Sequence, residues 1–372
     1  MAASRTGGHG CVQNTETVVI TITTPIDGAI LNRHDGDEEN GRLTTTVRGR
    51  TDRPESVLVN GVQATVQGND FQARIVLTDR RSTVTAQVGD ETCSQTVLYD
   101  RGSFKRYRFS LDDDIWFLRD IAASRPSSLF ENPYMALWRR LHERYGTKVN
   151  CNIYFQCDGF DLTMMPDVYR REWEDNSEWF RLTFHALQNE PKEPYIAAAY
   201  DEVAHDYDLI TNEIVRFAGE SVMNEFTTIH WGEATRGGCR AVRDRGIRGL
   251  CGYFVMREGV PKVSYYLDGE QTDYLGTHDY WLDTSEDLIF IRHDIVANNV
   301  RPEDIRGHLD RTAENPQQRD VMEFMIHEQY FYPEYRAHLP DYAERCETTV
   351  RWAADNGYEP VFWSDGFLGV PE

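Results

Sequence analysis

The sequence predicts a small antiparallel β-sandwich followed by a β/α barrel of about seven units. Three observations predict it. The first hundred residues alternate with a period of two, in short β-branched runs broken by turn residues. From about Arg101 the pattern changes to apolar strand-like runs separated by helical stretches. The 372 residues then leave roughly 270 for the second part, close to the usual size of such a barrel.

In the first part, Thr17–Thr24 is a β-branched run, and Leu43–Arg48 alternates. Val57–Asn60 and Val62–Val66 flank Asn60-Gly61, the strongest short hairpin signal. Phe71–Leu77, Ser82–Val88 and Thr92–Leu98 alternate again. His34–Gly41 reads as an acidic, solvated loop, because the spacing of a calcium loop is missing. Met1–Cys11 is rich in Gly and Ser, and a disordered stretch is expected over 1–14, with the sandwich over 15–100. The Val59-Asn60-Gly61 hairpin and the later alternating strands resemble the immunoglobulin-like modules attached to many carbohydrate-active proteins.

In the second part, 101–372, strands are expected at Tyr107–Leu111, Val149–Phe155, Trp179–Leu187, Phe226–Trp231, Gly249–Val255, Leu288–Ile295, Val321–His327 and Pro360–Trp363. Between them, helices are expected at Pro133–Tyr145, Pro166–Asn176, Ala197–Ala218, Arg236–Arg245, Glu303–Thr312 and Asp341–Asn356. Strand–helix alternation with short connections makes right-handed crossovers and a parallel sheet.

Composition narrows the function. With 61 acidic against 39 basic residues the net charge is −22, which repels phosphate backbones and argues against nucleic acid as a partner. Only four of the basic residues are Lys (105, 148, 192 and 262). Seven Cys without a CxxC pair give no zinc-knuckle signal and no disulfide framework. No apolar run is long enough to span a membrane. The chain as written lacks an apolar leader and reads as cytoplasmic, or extracellular if a leader was removed. Oligomeric state is left open.

In a parallel barrel, chemistry sits at the C-terminal ends of strands. The first strand ends in Ser110-Leu111-Asp112-Asp113-Asp114. Three adjacent carboxylates need a cation or a hydrogen-bond network, whereas a helix N-terminus explains only one or two of them. His185, His230, His293 and His327 fall at four other strand ends, and Glu233 and Glu328 lie beside two of them. Imidazole and carboxylate at one rim suit a divalent metal or acid–base catalysis. Aromatic residues such as Trp231 and Tyr330 suit the C–H faces of sugar rings, and the run Tyr265, Tyr266, Tyr274, Tyr280 and Trp281 offers more of them.

Ser110–Asp114 resembles the first motif of the polysaccharide deacetylases, the NodB-type carbohydrate esterases, commonly Thr-Phe-Asp-Asp-Gly. Met325-Ile326-His327 is similar to that family's last motif, Leu-x-His, and His230–Leu250 is similar in layout to its middle motif. The resemblance implies a (β/α)7-like deacetylase-type barrel and a divalent metal, zinc first. It also implies Asp112 as the base, Asp113 and His185 as metal ligands, and His327 as the general acid. The family's second His is replaced by Asn189, and Asp114 stands for the usual Gly. His230, Glu190 or Asp114 is therefore open as third ligand, or the metal is lost. His230 is the choice, with Trp231, Glu233 and Tyr330 expected to touch substrate. The function implied is a metal-dependent hydrolase removing acetyl groups from a carbohydrate. Two other readings stand beside it: a glycan-binding barrel without metal, and a glycoside hydrolase using Glu233 or Glu328 against the Asp cluster.

Overall fold

The computed structural model describes residues 20–53 and 56–366. The stretch expected to be disordered, 1–14, and the start of the Thr17–Thr24 run lie outside the described residues. The chain divides into two compact units. One comprises the chain up to Asp27 with Asp35–Tyr99, and the other Gly28–His34 with the chain from Asp100 onward.

The smaller unit is all antiparallel. Its strands are β1 (Ile20–Thr24), β2 (Gly36–Glu39), β3 (Arg42–Thr51), β4 (Val57–Val59), β5 (Val62–Gln63), β6 (Thr65–Gln67), β7 (Asp70–Leu77), β8 (Arg81–Val88) and β9 (Glu91–Tyr99). One sheet runs β1–β3–β7–β6, and β2 also pairs with β3. The other runs β9–β8–β4–β5. Asn60 and Gly61 both take positive φ, as the tight β4–β5 turn requires. β7 shows why two sheets form: Phe71, Ala73, Ile75 and Leu77 are buried while the residues between them are exposed. The acidic segment expected as a loop instead contributes β2, which pairs in a hairpin with Arg42–Thr45.

The larger unit is the α/β part. Its strands are β10 (Arg106–Asp114), β11 (Val149–Tyr154), β12 (Phe180–Ala186), β13 (Phe226–Thr227), β14 (Gly249–Gly252), β15 (Tyr280–Asp283), β16 (Leu288–Arg292), β17 (Ile295–Val296), β18 (Val321–His327) and β19 (Glu359–Pro360). Its main helices are α1 (Trp116–Ser124), α2 (Pro133–Tyr145), α3 (Tyr200–Ala218), α4 (Arg236–Arg243), α5 (Pro302–Glu314) and α6 (Tyr342–Asp355). No helix among the described residues is long and apolar enough to cross a membrane.

Local chemistry sets the helix ends. Asn132 caps α2 by accepting from Tyr134 and Met135 N–H, Pro133 fills a first-turn position, and Gly146 ends the helix in the left-handed region. α1 begins after Ile115, whose side chain cannot cap. Glu328, at the end of β18, accepts from the N–H groups of Ile115, Trp116 and Phe117 at 2.6–2.8 Å instead.

The strands follow one another in chain order, as they would around a barrel, but the ladder does not close. One arc is β12–β11–β10–β18–β17, with β19 against the start of β10; the other is β13–β14–β16, flanked by antiparallel β15. The (β/α)7-like barrel expected from the sequence is seen as these two arcs rather than as one continuous ring. The first gap lies between β12 and β13, because β13 is only two residues long before the chain turns. A hydrogen bond from Thr227 Oγ1 to the Phe184 carbonyl crosses it. The second lies where the chain bends at His293-Asp294, and Asp294 joins it to β18 through Glu323 N–H. The expected Pro360–Trp363 strand is also corrected: β19 stops at Pro360 and a helical turn begins at Trp363.

β10 is buried along its whole length, so both faces must be satisfied. Tyr107 and Phe109 pack on Phe324, and Phe109 also meets Trp138 of α2. Arg108, Ser110 and Asp112 share the other face, since side chains alternate. There the arcs meet through polar groups. Arg108 donates to Glu323, its register partner on β18, to the Phe226 carbonyl at 3.2 Å and to Cys251 Sγ at 3.0 Å. Trp363 Nε1 donates to the same Glu323 at 2.7 Å. Neither charged side chain is exposed.

Two outcomes follow from this interior. Glu323→Ala strands a buried guanidinium and is expected to cost about 3–5 kcal/mol by urea unfolding, whereas Arg108→Met with Glu323→Leu recovers most of that loss. Burial lifts the Asp294 carboxyl to about 7, Arg292 only partly offsetting it. An acid raised in the folded state favours folding below its ordinary value near 4 and loses that contribution as pH rises through about 7. Asp294→Asn should therefore flatten the fall in melting temperature between about pH 4 and 8, relative to the parent protein.

Candidate functional site

The site is built at the ends of β10, β11, β12 and β18 and on the turn after β13. β10 bulges there, its register with β11 shifting between Leu111 and Asp114. Asp113 takes φ +64°, a left-handed conformation uncommon for residues with a side chain, although Asp tolerates it better than most. This twist sends the three carboxylates to different places. Asp112 accepts from Ser110 Oγ at 2.8 Å and Asn152 Nδ2 at 2.6 Å. Asp113 faces His185 and His230. Asp114 accepts from Tyr134 OH at 3.0 Å, buried beside Glu328.

Asp113 Oδ1 lies 3.0 Å from His185 Nε2 and 3.2 Å from His230 Nδ1, and those two nitrogens are 3.2 Å apart. All three side chains are buried. The other ring nitrogen of each His is pinned. His185 Nδ1–H donates to the Thr228 carbonyl at 2.5 Å, and His230 Nε2–H to the Asn189 carbonyl at 3.2 Å. A carbonyl only accepts, so these bonds fix the tautomers. His185 Nε2, His230 Nδ1 and Asp113 Oδ1 then form a cluster of three donor atoms, each within 3.2 Å of the other two. Such a cluster calls for a cation, and two imidazoles with one carboxylate are a donor set for zinc or another divalent transition metal. A proton on His185 meets the same need in part. Burial lowers the His185 pKa, but Asp113 and Asp112 raise it further. Burial pushes Asp113 up, and the bonds with His185 and His230 outweigh it and hold the carboxyl well below its usual range.

His230 reaches the cluster because the next residue also takes a left-handed turn: Trp231 has φ +64° and leaves its indole 44% exposed. Asp112 and His327 are register partners on adjacent strands. His327 Nδ1–H donates to Asn298 Oδ1 at 2.9 Å, which leaves Nε2 for chemistry. Tyr330 stands next to His327, ring centroids 6.0 Å apart.

The three expected metal ligands thus come together, and Asp112 and His327 lie side by side. Trp231 stays accessible. Glu233 is the residue expected to touch substrate beside Trp231. It is buried, and its Oε1 accepts from Val263 N–H at 2.7 Å, clipping the 253–265 loop to the Trp231 turn. Glu190 is exposed and outside the cluster, and Asp114 faces Tyr134, so neither joins the three donors. Tyr265, Tyr280 and Trp281 are buried core residues. Sequence reasoning missed Asn152, Asn298 and above all Tyr154. The Tyr154 hydroxyl donates to Asp113 Oδ1 and lies 2.8 Å from His230 Nδ1. The signal was available: in Val149–Tyr154, Asn150, Asn152 and Tyr154 recur at every second position of a strand that is otherwise apolar.

No family model matches the chain, and no curated protein matches it either. Several solved structures are similar. A 4-alpha-glucanotransferase from Thermococcus litoralis is 11% identical with a TM-score of 0.45, over 70% of this chain and 40% of that one. This chain therefore spans well under half the length of that protein. A polysaccharide deacetylase from Mycobacterium smegmatis is 9% identical with a TM-score of 0.42, over 71% of this chain and 88% of that one. The carbohydrate deacetylase Agd3 is 9% identical with a TM-score of 0.40, over 92% of this chain and 68% of that one.

Proposed function

We propose that this protein is a metal-dependent hydrolase acting on a carbohydrate, most simply a deacetylase. The observation that supports it is the clustering of the Asp113, His185 and His230 donor atoms, with each imidazole pinned from behind, beside the Asp112–His327 pair. A divalent metal held by those three residues would polarise an acyl carbonyl and lower the pKa of water next to it.

The remaining work falls to this chain's own groups. Asp112 has Oδ1 occupied by Ser110 and Asn152, so its other oxygen takes the proton from the attacking water. Asn152 is in turn fixed by Thr227 Oγ1 at 3.0 Å and by Asn150, so the base cannot swing. His327, turned by Asn298, would deliver a proton from Nε2 of its doubly protonated ring to the departing sugar oxygen or nitrogen, its Nδ1–H staying on Asn298. The exposed indole of Trp231 offers an apolar face for a sugar ring at the mouth. The smaller unit fits an immunoglobulin-like accessory module over 15–100, and its β1–β3–β7–β6 and β9–β8–β4–β5 pairing supports that reading. The glycosidase reading loses its second acid, because Glu328 is spent on the start of α1 and Glu233 on a loop.

Purified protein is expected to carry about one divalent ion per chain. Asp113→Asn or His185→Ala should abolish uptake and the thermal shift that metal produces, while a protein that takes up no metal would defeat the proposal. Acetate release from acetylated oligosaccharides should fall by about 10²–10⁴-fold in Asp112→Asn and in His327→Ala, with metal content unchanged. Acetate release surviving both changes would refute the roles given to these residues. Reducing ends released without acetate would favour the glycosidase, and glycan affinity without turnover the binding protein.

A further inference from the structure

We propose that Glu233 is a positioning residue for substrate: its buried carboxyl group holds the 253–265 segment against the Trp231 turn and so fixes the exposed indole as a preformed platform for a sugar ring. This rests on the carbohydrate reading above and deepens it. Backbone strain marks the region. Trp231, Phe254, Val263 and Tyr265 all take positive φ, and none of them is a glycine. For Val263 the conformation is a true outlier, because its branched Cβ crowds the backbone there. Such residues persist only where their surroundings hold them, and they gather at ligand sites.

Bonds from both sides do the holding. Val255–Arg257 pairs with Val260–Lys262 in a small antiparallel hairpin, closed at its base by Phe254 N–H on the Val263 carbonyl at 3.1 Å. Glu233 Oε1 accepts from Val263 N–H at 2.7 Å. Two residues on, Tyr265 N–H donates to the Gly232 carbonyl at 2.6 Å. The Tyr265 hydroxyl donates to the Cys251 carbonyl and accepts from Ile229 N–H at 3.3 Å. Gly232 N–H closes the turn on the Ile229 carbonyl at 2.7 Å. The fit is close, since a Cβ on Gly232 would stand 2.9 Å from Val263 Cγ1. The backbone is thus tied on both sides of Trp231, while the indole itself stays in solvent, its ring centroid 6.3 Å from that of His230. An indole on a backbone already set loses little freedom when a ring stacks on it. Glu233 therefore acts on substrate through Trp231.

The test measures affinity and turnover together, with the tetramer of N-acetylglucosamine and an acetylated xylo-oligosaccharide as probes of the full chain. Glu233→Ala should weaken affinity and raise KM about 10-fold with kcat and metal content unchanged. It should also speed amide exchange over 254–265. Glu233→Gln keeps an acceptor oxygen and should restore the affinity of the parent protein. Trp231→Ala should lose as much affinity as Glu233→Ala, and the double variant no more than either. A lowered kcat at unchanged KM in Glu233→Ala, or losses that multiply in the double variant, would overturn the positioning role and leave the hydrolase reading standing. Unchanged affinity in Trp231→Ala, a substitution at an exposed side chain, would overturn it even if Glu233→Ala does not fold. A parent protein that binds neither probe would overturn the platform, whereas glycan binding without acetate release would overturn only the hydrolase.

Discussion

Three carboxylates in succession, buried at the end of one strand, have to be kept apart, and the local structure answers that constraint. Like charges in a dry interior raise one another's pKa, and burial adds to the effect. The left-handed turn at Asp113 gives each acid its own surroundings. Asp112 has two neutral donors, Asp113 has two imidazoles, and Asp114 has a phenol and shares its burial with Glu328. Only the middle one faces a set of lone pairs that seeks a cation. A regular extended strand would have put Asp112 and Asp114 on one face and Asp113 behind them, with no site at all.

What lies beneath is equally polar. Asn224, Asn150, Asn152 and Thr227 form a connected chain of amide and hydroxyl bonds that ends on Asp112. Below it sit Arg108 and Glu323. Such an interior is costly unless every member is satisfied, and that cost is a reason for rigidity. Asp112 inherits its orientation from neighbours that have no freedom to rearrange. His327 is held separately, through Asn298 on the turn between β17 and α5. The two catalytic candidates are thus positioned by independent supports and brought together by the register of β10 with β18.

Much of this was legible in the residues, and the reasons for the rest are physical. Apolar runs ending in Asp or His marked the strand ends, so Asp112, Asp113, His185, His230 and His327 were found by position. Helix α2 was readable because Asn132, Pro133 and Gly146 are local signals. The positive φ at Asp113 and Trp231 was not readable, since neither residue type announces it and the hold comes from distant groups. Tyr154 was hidden because a strand buried on both faces hides its alternation under a general apolar reading. The partners of Glu233 and Glu328 were not readable, because backbone N–H groups from remote segments bind them and sequence spacing carries no trace of such contacts. The gaps in the ladder also depend on where turns cut strands short, which composition does not fix.

The alternation along β10 has one more consequence. Arg108, Ser110 and Asp112 look inward, and Tyr107, Phe109 and Leu111 look toward the helices. A slip of one residue would turn the guanidinium and the carboxylate into the apolar layer and two rings into the polar one. The error would be both unstable and inert. Fidelity of assembly and integrity of the site are therefore enforced by the same two-residue rhythm, so a chain that has closed around Arg108 and Glu323 has already proofread the placement of Asp112.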